Sequence, residues 1–333
     1  MVAEIGVILG QVGSPADTTR SEIRRYLAEF LSDQRVVDMP RWRWAPILHG
    51  IVLRTRPAHT QAHYRDIWTE SGSPMRVISE AQQAGIQERL GERFQVELGM
   101  AYSRPGIPDA ITALEAAGIR KIVVLPLFPQ FSTSTTASIY DAVSFAALGR
   151  AQSSLPVKKF VPTLRFVHPY FDDPDFIELL AAHLDRELRP DPQPDRVIFS
   201  YHSLPRRFIT EGDPYEEHCT ISTRLLVEKL GWPTDRWEHA YQSRFDRRDW
   251  LGPMIHTRLA DLPAEGVQRP AIFTPGFTTD CLETLQELGI RGRDAFTQAG
   301  GDTSEFRMIP CLNDDPRWLD YAATLIDANT RGW

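Results

Sequence analysis

Cysteine is scarce in this chain. Cys219, Cys281 and Cys311 are the only three in 333 residues, and they lie far apart with no CxxC pair. That count argues against a disulfide framework or a zinc knuckle and suits a reducing compartment. An iron–sulfur cluster held by cysteine needs about four thiolates, which three scattered residues of one chain do not supply. No apolar run reaches the length of a membrane span, so no transmembrane helix is predicted. The opening Met1-Val2-Ala3-Glu4-Ile5-Gly6-Val7-Ile8-Leu9 lacks a basic start and a long apolar stretch. It reads as a first strand and not as a signal peptide, and a cytoplasmic location is expected. Positive charge is also short: 37 Lys and Arg stand against 44 Asp and Glu, a formal net charge of -7. No nucleic-acid partner is expected from that balance. GxGxxG, the P-loop pattern, GxSxG and HExxH are all missing. Dinucleotide, P-loop, nucleophile-elbow and zincin chemistry lose their usual signals.

What is present is a packed chain, with 42% hydrophobic and 24% charged residues, long enough for one large domain or two ordinary ones. Strand-like runs at Ile5–Leu9, Val96–Met100, Lys121–Leu127, Phe160–Pro162, Val197–Tyr201 and Ala271–Thr274 alternate with helical patterns. The helical patterns are Ser21–Leu31, Pro74–Leu90, Ala110–Ala117, Pro174–Leu188, Pro214–Leu230 and Pro316–Ala328. This alternation predicts an α/β fold with mostly parallel sheets covered by helices. The pattern also repeats. Val7 through Pro15 can be laid on Val197 through Pro205, matching Val, Ile and Pro; Val123 through Phe128 can be laid on Ile272 through Phe277, matching Pro and Phe. The same order in both matches predicts two similar doubly wound, Rossmann-like halves. The first is expected over residues 1–152, with the final helix, 314–333, packing back on it, and the second over 153–313. A ligand is expected in a cleft between the halves.

One segment stands out for chemistry. The apolar run Arg196-Val197-Ile198-Phe199-Ser200-Tyr201 ends at His202-Ser203-Leu204-Pro205, and Pro205 bars the strand from continuing. His202 is thereby offered at the carboxyl end of a strand, where open α/β sheets place ligand sites. A lone histidine is more often a hydrogen-bonded structural residue than a ligand, and only its placement argues otherwise. A second strand end, Thr274-Pro275-Gly276-Phe277, leads into a helix carrying Glu283 and, one turn on, Glu287 on the same face. Imidazole and carboxylate together suit a divalent metal or a proton transfer. The plainer reading of Glu283 is a capping box with Asp280. Two segments read as loops. Gln34–Pro57, with Arg41-Trp42-Arg43-Trp44 and Leu53-Arg54-Thr55-Arg56-Pro57, is either a surface excursion or an apolar lip with cationic edges. Gln130–Ser138 is either an anion-binding turn or a well-capped helix start.

Over nearly its whole length the chain resembles the ferrochelatase family, in its proteobacterial form. The blocks that carry the resemblance include Tyr26 through Asp33 with Arg35-Val36-Val37, Ile47 through Leu53, Gly72-Ser73-Pro74, Leu125 through Ser132 and Ser134-Thr135-Thr136. Further blocks are His202-Ser203-Leu204-Pro205, Gly212 through Tyr215, Gln242-Ser243-Arg244-Phe245, Asp249-Trp250-Leu251, Pro275-Gly276-Phe277 through Glu287, and Pro310 through Asp314. The resemblance implies a lyase of haem biosynthesis that inserts ferrous iron into protoporphyrin IX and releases two protons. His202 matches the histidine of the family's first signature and Glu283 the glutamate of its second; both would be metal-handling and catalytic. Glu287 matches an outer carboxylate on the metal or proton route. Trp250, Phe30 and Leu31 match the apolar walls of the porphyrin pocket. Tyr64, Ser73 and an arginine of the Arg54/Arg56 pair match its propionate-holding residues.

Iron would be substrate, with no tightly bound cofactor. Members with an iron–sulfur cluster carry a cysteine-bearing extension, and this chain stops at Arg331-Gly332-Trp333, so no cluster is expected. A monomer is expected, and the apolar lip could touch a membrane surface. The chain departs from the common pattern at Gln11-Val12-Gly13-Ser14-Pro15, at Phe128 and at Ala137. Two rivals stay open: a chelatase for coproporphyrin or another tetrapyrrole or metal, and a porphyrin- or haem-binding paralogue without turnover. A two-lobed binding protein of the periplasmic type is disfavoured by the missing signal peptide.

Overall fold

The computed structural model describes residues 3–149, 158–189, 192–245 and 248–333. The chain divides into two units. One comprises Met1–Phe128, Ser132–His168 and Asp314–Trp333; the other comprises Pro129–Phe131 and Pro169–Asn313.

The first unit begins with β1 (Ile5–Gln11) and three helices, α1 (Arg20–Ser32), α2 (Arg41–Ile47) and α3 (Leu53–Ile67). It continues with α4 (Pro74–Leu90), β2 (Phe94–Met100), α5 (Ile107–Ala116), β3 (Lys121–Pro126), α6 (Ser138–Leu148) and β4 (Thr163–Phe166). Its strands lie in the order β2-β1-β3-β4, all parallel. β1 is buried at every residue and β3 at all but its first, as expected of strands covered on both faces. Helix α1 starts where the Thr19 hydroxyl accepts from the Glu22 amide, and it buries Ile23, Leu27 and Leu31 at one-turn intervals. Ile8, Ile111, Leu114, Ile122, Val124, Ile139 and Val143 form a core within this unit. A side chain at Gly10 would meet Ile139 of α6 at 2.7 Å, so the glycine sets how closely that helix approaches β1.

The second unit holds α7 (Pro174–Leu188), β5 (Arg196–His202), α8 (Arg206–Thr210), α9 (Tyr215–Leu230), β6 (Trp237–Gln242), α10 (Ile255–Asp261) and β7 (Pro270–Phe273). A π-helical segment, Glu283–Gly292, then runs into α11 (Arg293–Gln298), and β8 (Arg307–Met308) follows. The strand order is β6-β5-β7-β8, again all parallel. Each unit therefore carries the same four-stranded order, which accounts for the sequence repeat. The repeat is not in perfect register. Val7 pairs with Val123, whereas Val197 pairs with Ala271. If Val7 corresponds to Val197, then Val123 corresponds to Ala271 and not to Ile272. The second sequence match is displaced by one residue, which would exchange the two faces of the strand. Helix α12 (Pro316–Asn329) belongs to the first unit, where Asp320 pairs with Arg89 of α4 and Leu319 lies against Gly85.

Several expectations need correction. The strand expected at Phe160–Pro162 lies at Thr163–Phe166, and Phe160 and Val161 are exposed. Strands β6 and β8 were not expected. The division expected after residue 152 falls outside the described residues, and the pairing of β4 with β3 carries the first unit on to His168. Gln34–Pro57 is largely helical and not a loop. It contains α2, a π-helical turn at Leu48–Val52 and the start of α3. Pro46 and Pro57 lie inside these helices, so the usual breaker signal misleads. In Gln130–Ser138 the Ser132 side chain accepts from the Ser134 amide, and the Ser132 carbonyl accepts from Thr135 and Ala137. Those donors are used inside the turn, so the segment is a capped helix start.

Candidate active site

His202 is the last residue of β5, as the strand reading implied. The chain beyond it is fastened by a short antiparallel return. Leu251 donates its amide to the Leu204 carbonyl, Arg206 to that of Asp249, and the Ser203 hydroxyl to the Leu251 carbonyl at 2.8 Å. This return sets Trp250 beside Pro205. The Phe245 ring lies 5.6 Å from Trp250 and 5.7 Å from His202, centroid to centroid, so an aromatic wall flanks the imidazole. His202 Nδ1 is 2.7 Å from the Ser203 carbonyl oxygen. A carbonyl can only accept, so Nδ1 carries the proton and Nε2 carries the lone pair in the neutral ring.

Glu283 opens the π-helical segment, but not as the cap that Asp280-Cys281-Leu282-Glu283 suggested. The Asp280 amide donates to Asn313 Oδ1 at 2.9 Å. The Asp280 carboxylate accepts from the Thr284 hydroxyl at 2.8 Å and from Asn313 Nδ2 at 2.7 Å. These bonds replace the capping box and leave the Glu283 carboxylate out of it. Burial, followed by the neighbouring Glu283 charge, pushes the Cys281 thiol well above its ordinary range.

Glu287 is held from another direction. Its Oε1 accepts from the Ser243 amide at 2.9 Å, and its Oε2 accepts from the Ser243 hydroxyl. His256, near the start of α10, places Nε2 3.5 Å from Oε1; this is long for a hydrogen bond, and the buried nitrogen has no shorter partner. Burial alone would raise the Glu287 carboxyl. The close approach of His256 and the bonds from Ser243 outweigh it and hold the group below the ordinary glutamate range. Among the described residues no three His, Cys, Asp or Glu side chains converge as a metal cage. The predicted trio His202, Glu283 and Glu287 is therefore not gathered into one coordination shell among the described residues.

The remaining expected residues lie in the first unit, apart from Trp250. Phe30 is half-buried, stacked on Tyr26 and edge-on to Tyr102. Leu31, Tyr64 and Ser73 are buried. Arg54 is exposed and Arg56 is half-buried, its guanidinium pKa lowered by burial. Three contributors escaped the sequence reading of the site: Ser243, Phe245 and His256. Ser243 and Phe245 sit in a block that had been quoted for its resemblance. With β6 unrecognised, nothing marked them as a strand end.

A family model described as Ferrochelatase matches residues 4–330. The chain belongs to the ferrochelatase family. A ferrochelatase of Bordetella pertussis is 44% identical over 332 residues, covering 99% of this chain and 89% of the relative. "Ferrochelatase 1" of Shewanella oneidensis is 42% identical, covering 98% of this chain and 96% of the relative. Among solved structures, SirB from Bacillus subtilis with Fe3+ matches with a TM-score of 0.56 at 10% identity, over 98% of this chain and 96% of that one. DR2241 from Deinococcus radiodurans, described as similar to chelatases, matches with a TM-score of 0.51 at 14% identity, over 99% of this chain and 55% of that one. These two likenesses concern the fold. As a ferrochelatase the chain is a lyase of haem biosynthesis, with a porphyrin and ferrous iron as its substrates. No helix among the described residues is long and apolar enough to cross a membrane.

Proposed function

We propose that the chain inserts Fe2+ into protoporphyrin IX, giving protohaem and two protons, and that His202 is the base for at least one of them. The observation that carries this reading is the tautomer of His202. With Nδ1–H engaged by the Ser203 carbonyl, Nε2 keeps its lone pair for a pyrrole proton. The reaction balances without electron transfer: two N–H bonds break, iron–nitrogen bonds form, and two protons leave. Glu283 holds the incoming ion or takes the second proton, and Glu287 is the outer carboxylate on that route. An open set of imidazole and carboxylate favours passage of a metal, because a closed four-ligand site would retain it.

Phe30, Leu31 and Trp250 serve as apolar walls for the macrocycle. Tyr64, Ser73 and an arginine of the Arg54/Arg56 pair take the propionates. These roles are supported by the family resemblance at each position and by the chemistry of the side chains. Cytoplasmic location, a monomeric state and peripheral contact with a membrane complete the reading. The last is supported by Trp42 and Ile51, 72% and 61% exposed beside exposed Arg41, Arg43 and Arg54. A substrate panel tests the specificity: anaerobic metalation of protoporphyrin IX and of coproporphyrin, each with Fe2+, Co2+ and Zn2+. Preference for protoporphyrin IX and Fe2+ in kcat/KM is expected. Preference for coproporphyrin would replace the substrate, and porphyrin binding without turnover would replace the enzyme by a carrier.

A further inference from the structure

We propose that Ser243 and His256 are positioning residues for iron insertion, which fix the Glu287 carboxylate in one orientation at the edge of the His202 site. The inference rests on the assignment of Glu287 to the metal and proton route made above. Three observations carry it. First, one residue supplies donors to both oxygens of one carboxylate: the Ser243 amide to Oε1 at 2.9 Å and the Ser243 hydroxyl to Oε2. A carboxylate clamped at both oxygens cannot rotate about its final bond without breaking a bond, so its remaining lone pairs point in fixed directions. Second, Ser243 sits just past the end of β6 with φ of 66°, in the left-handed region that non-glycine residues rarely occupy. That conformation is strained and persists where surrounding structure over-determines it. Here the residue turns amide and hydroxyl together onto Glu287.

Third, His256 directs a buried Nε2 at Oε1 from 3.5 Å and has no closer partner. An imidazole nitrogen buried without a short bond is costly for purely structural purposes. Its value lies in crowding the free side of Oε1, so that the carboxylate is bracketed by Ser243 and His256 from two elements. The Glu287 side chain is 14% exposed, so it is confined without being sealed from solvent. A preorganised anion of this kind binds a passing cation without first reorienting.

The test is steady-state metalation of porphyrin with the metal ion varied, using Co2+ and Fe2+ as probes. The variants are Ser243→Ala, His256→Ala, His256→Gln and Glu287→Gln, plus the first two combined with Glu287→Gln. Loss of the hydroxyl bond to a charged acceptor predicts roughly a ten-fold rise in the KM for metal in Ser243→Ala, and loss of the crowding ring a smaller rise in His256→Ala. The KM for porphyrin and porphyrin binding should stay near wild type in folded protein, with the melting temperature followed alongside. His256→Gln, which refills the space beside Oε1, should recover most of the loss. In the Glu287→Gln background neither substitution should add anything further. Metal KM values unchanged in both single variants, or additive losses in that background, would overturn the proposal while leaving Glu287 in its role. A silent Glu287→Gln would overturn the role of Glu287 itself, and the clamp with it. If Ser243→Ala fails to fold, the His256 series and its double variant decide alone.

Discussion

Replacing Asp280 by Ala should damage stability and activity together, and the structure sets the scale. Asp280 is 6% exposed, and its carboxylate receives the Thr284 hydroxyl at 2.8 Å and Asn313 Nδ2 at 2.7 Å, with the Cys311 amide at 3.3 Å. Each charge-assisted bond is worth about 1.5–3 kcal/mol, and the abandoned donors are themselves buried. Two strong bonds and one weak one give a loss of about 3–5 kcal/mol for Asp280→Ala, within the range measured when a buried polar cluster loses its central member. At about 2–4 °C per kcal/mol for a unit of this size, the melting temperature should fall by roughly 6–20 °C. Asp280→Asn is informative because it is isosteric. One amide position can still accept, but the other presents N–H groups to the donors of Asn313 and Cys311, or of Thr284. It should therefore cost about 1–3 kcal/mol, and not be neutral. Because Thr284 follows Glu283 directly, loss of the anchor also frees the start of the π-helical segment. Activity at 10–15 °C below the new melting point should then remain depressed, with the KM for metal more affected than that for porphyrin. Differential scanning calorimetry and initial-rate metalation on the same preparations measure both effects. A melting temperature within about 2 °C of wild type for Asp280→Ala, or full activity in folded protein, would refute the claim that this hydrogen-bonded frame positions Glu283.

Two further predictions concern the second unit away from the site. Glu238 on β6 ties Arg196 of β5 and Arg258 of α10, and Arg258 also reaches Glu265. Glu238→Ala should cost about 1–3 kcal/mol, with a smaller difference from wild type at high salt because the group is partly exposed; no change in urea midpoint at low salt would sink this. His239 on the same strand is pushed down by burial from 6.5 to about 4. Its folded pKa lies below its unfolded one, so the neutral ring contributes stability that is complete above about pH 6.5 and is lost as pH falls toward 4. At about 1.4 kcal/mol per unit this amounts to roughly 3 kcal/mol. Thermal unfolding of His239→Gln between pH 7 and pH 4 should show a flatter decline than wild type, and parallel curves would contradict the assignment.

The parts of the fold that were legible in the sequence are those where burial and chemistry agree. β5 reads as a strand because Val197, Ile198 and Phe199 are all fully buried and Pro205 ends the run. β6 does not, because Glu238 pairs with Arg196 and Arg258 and His239 stacks on Tyr201 with Tyr241 tilted against it. The strand is polar for tertiary reasons that no local window contains. The helices within Gln34–Pro57 fail differently. Trp42, Ile47 and Ile51 face outward, so no amphipathic stripe marks them, and Pro46 and Pro57 argue for a break. Glu283 was found by its motif, yet its apparent capping role was wrong, because Asn313, 33 residues from Asp280, takes the bonds that the local box would have used. Ser243 and His256 meet Glu287 across 44 and 31 positions of sequence, a contact that spacing alone cannot reveal.

The most direct test is anaerobic metalation of protoporphyrin IX by Fe2+, followed optically, in wild type and in His202→Ala, with porphyrin binding measured alongside. Wild-type turnover that falls by at least about a hundred-fold in the variant, with porphyrin affinity retained, is the predicted result for loss of a general base. Equal turnover in the two proteins would contradict the role of His202. Intact porphyrin binding with no turnover in wild type would contradict the insertion of iron into protoporphyrin IX.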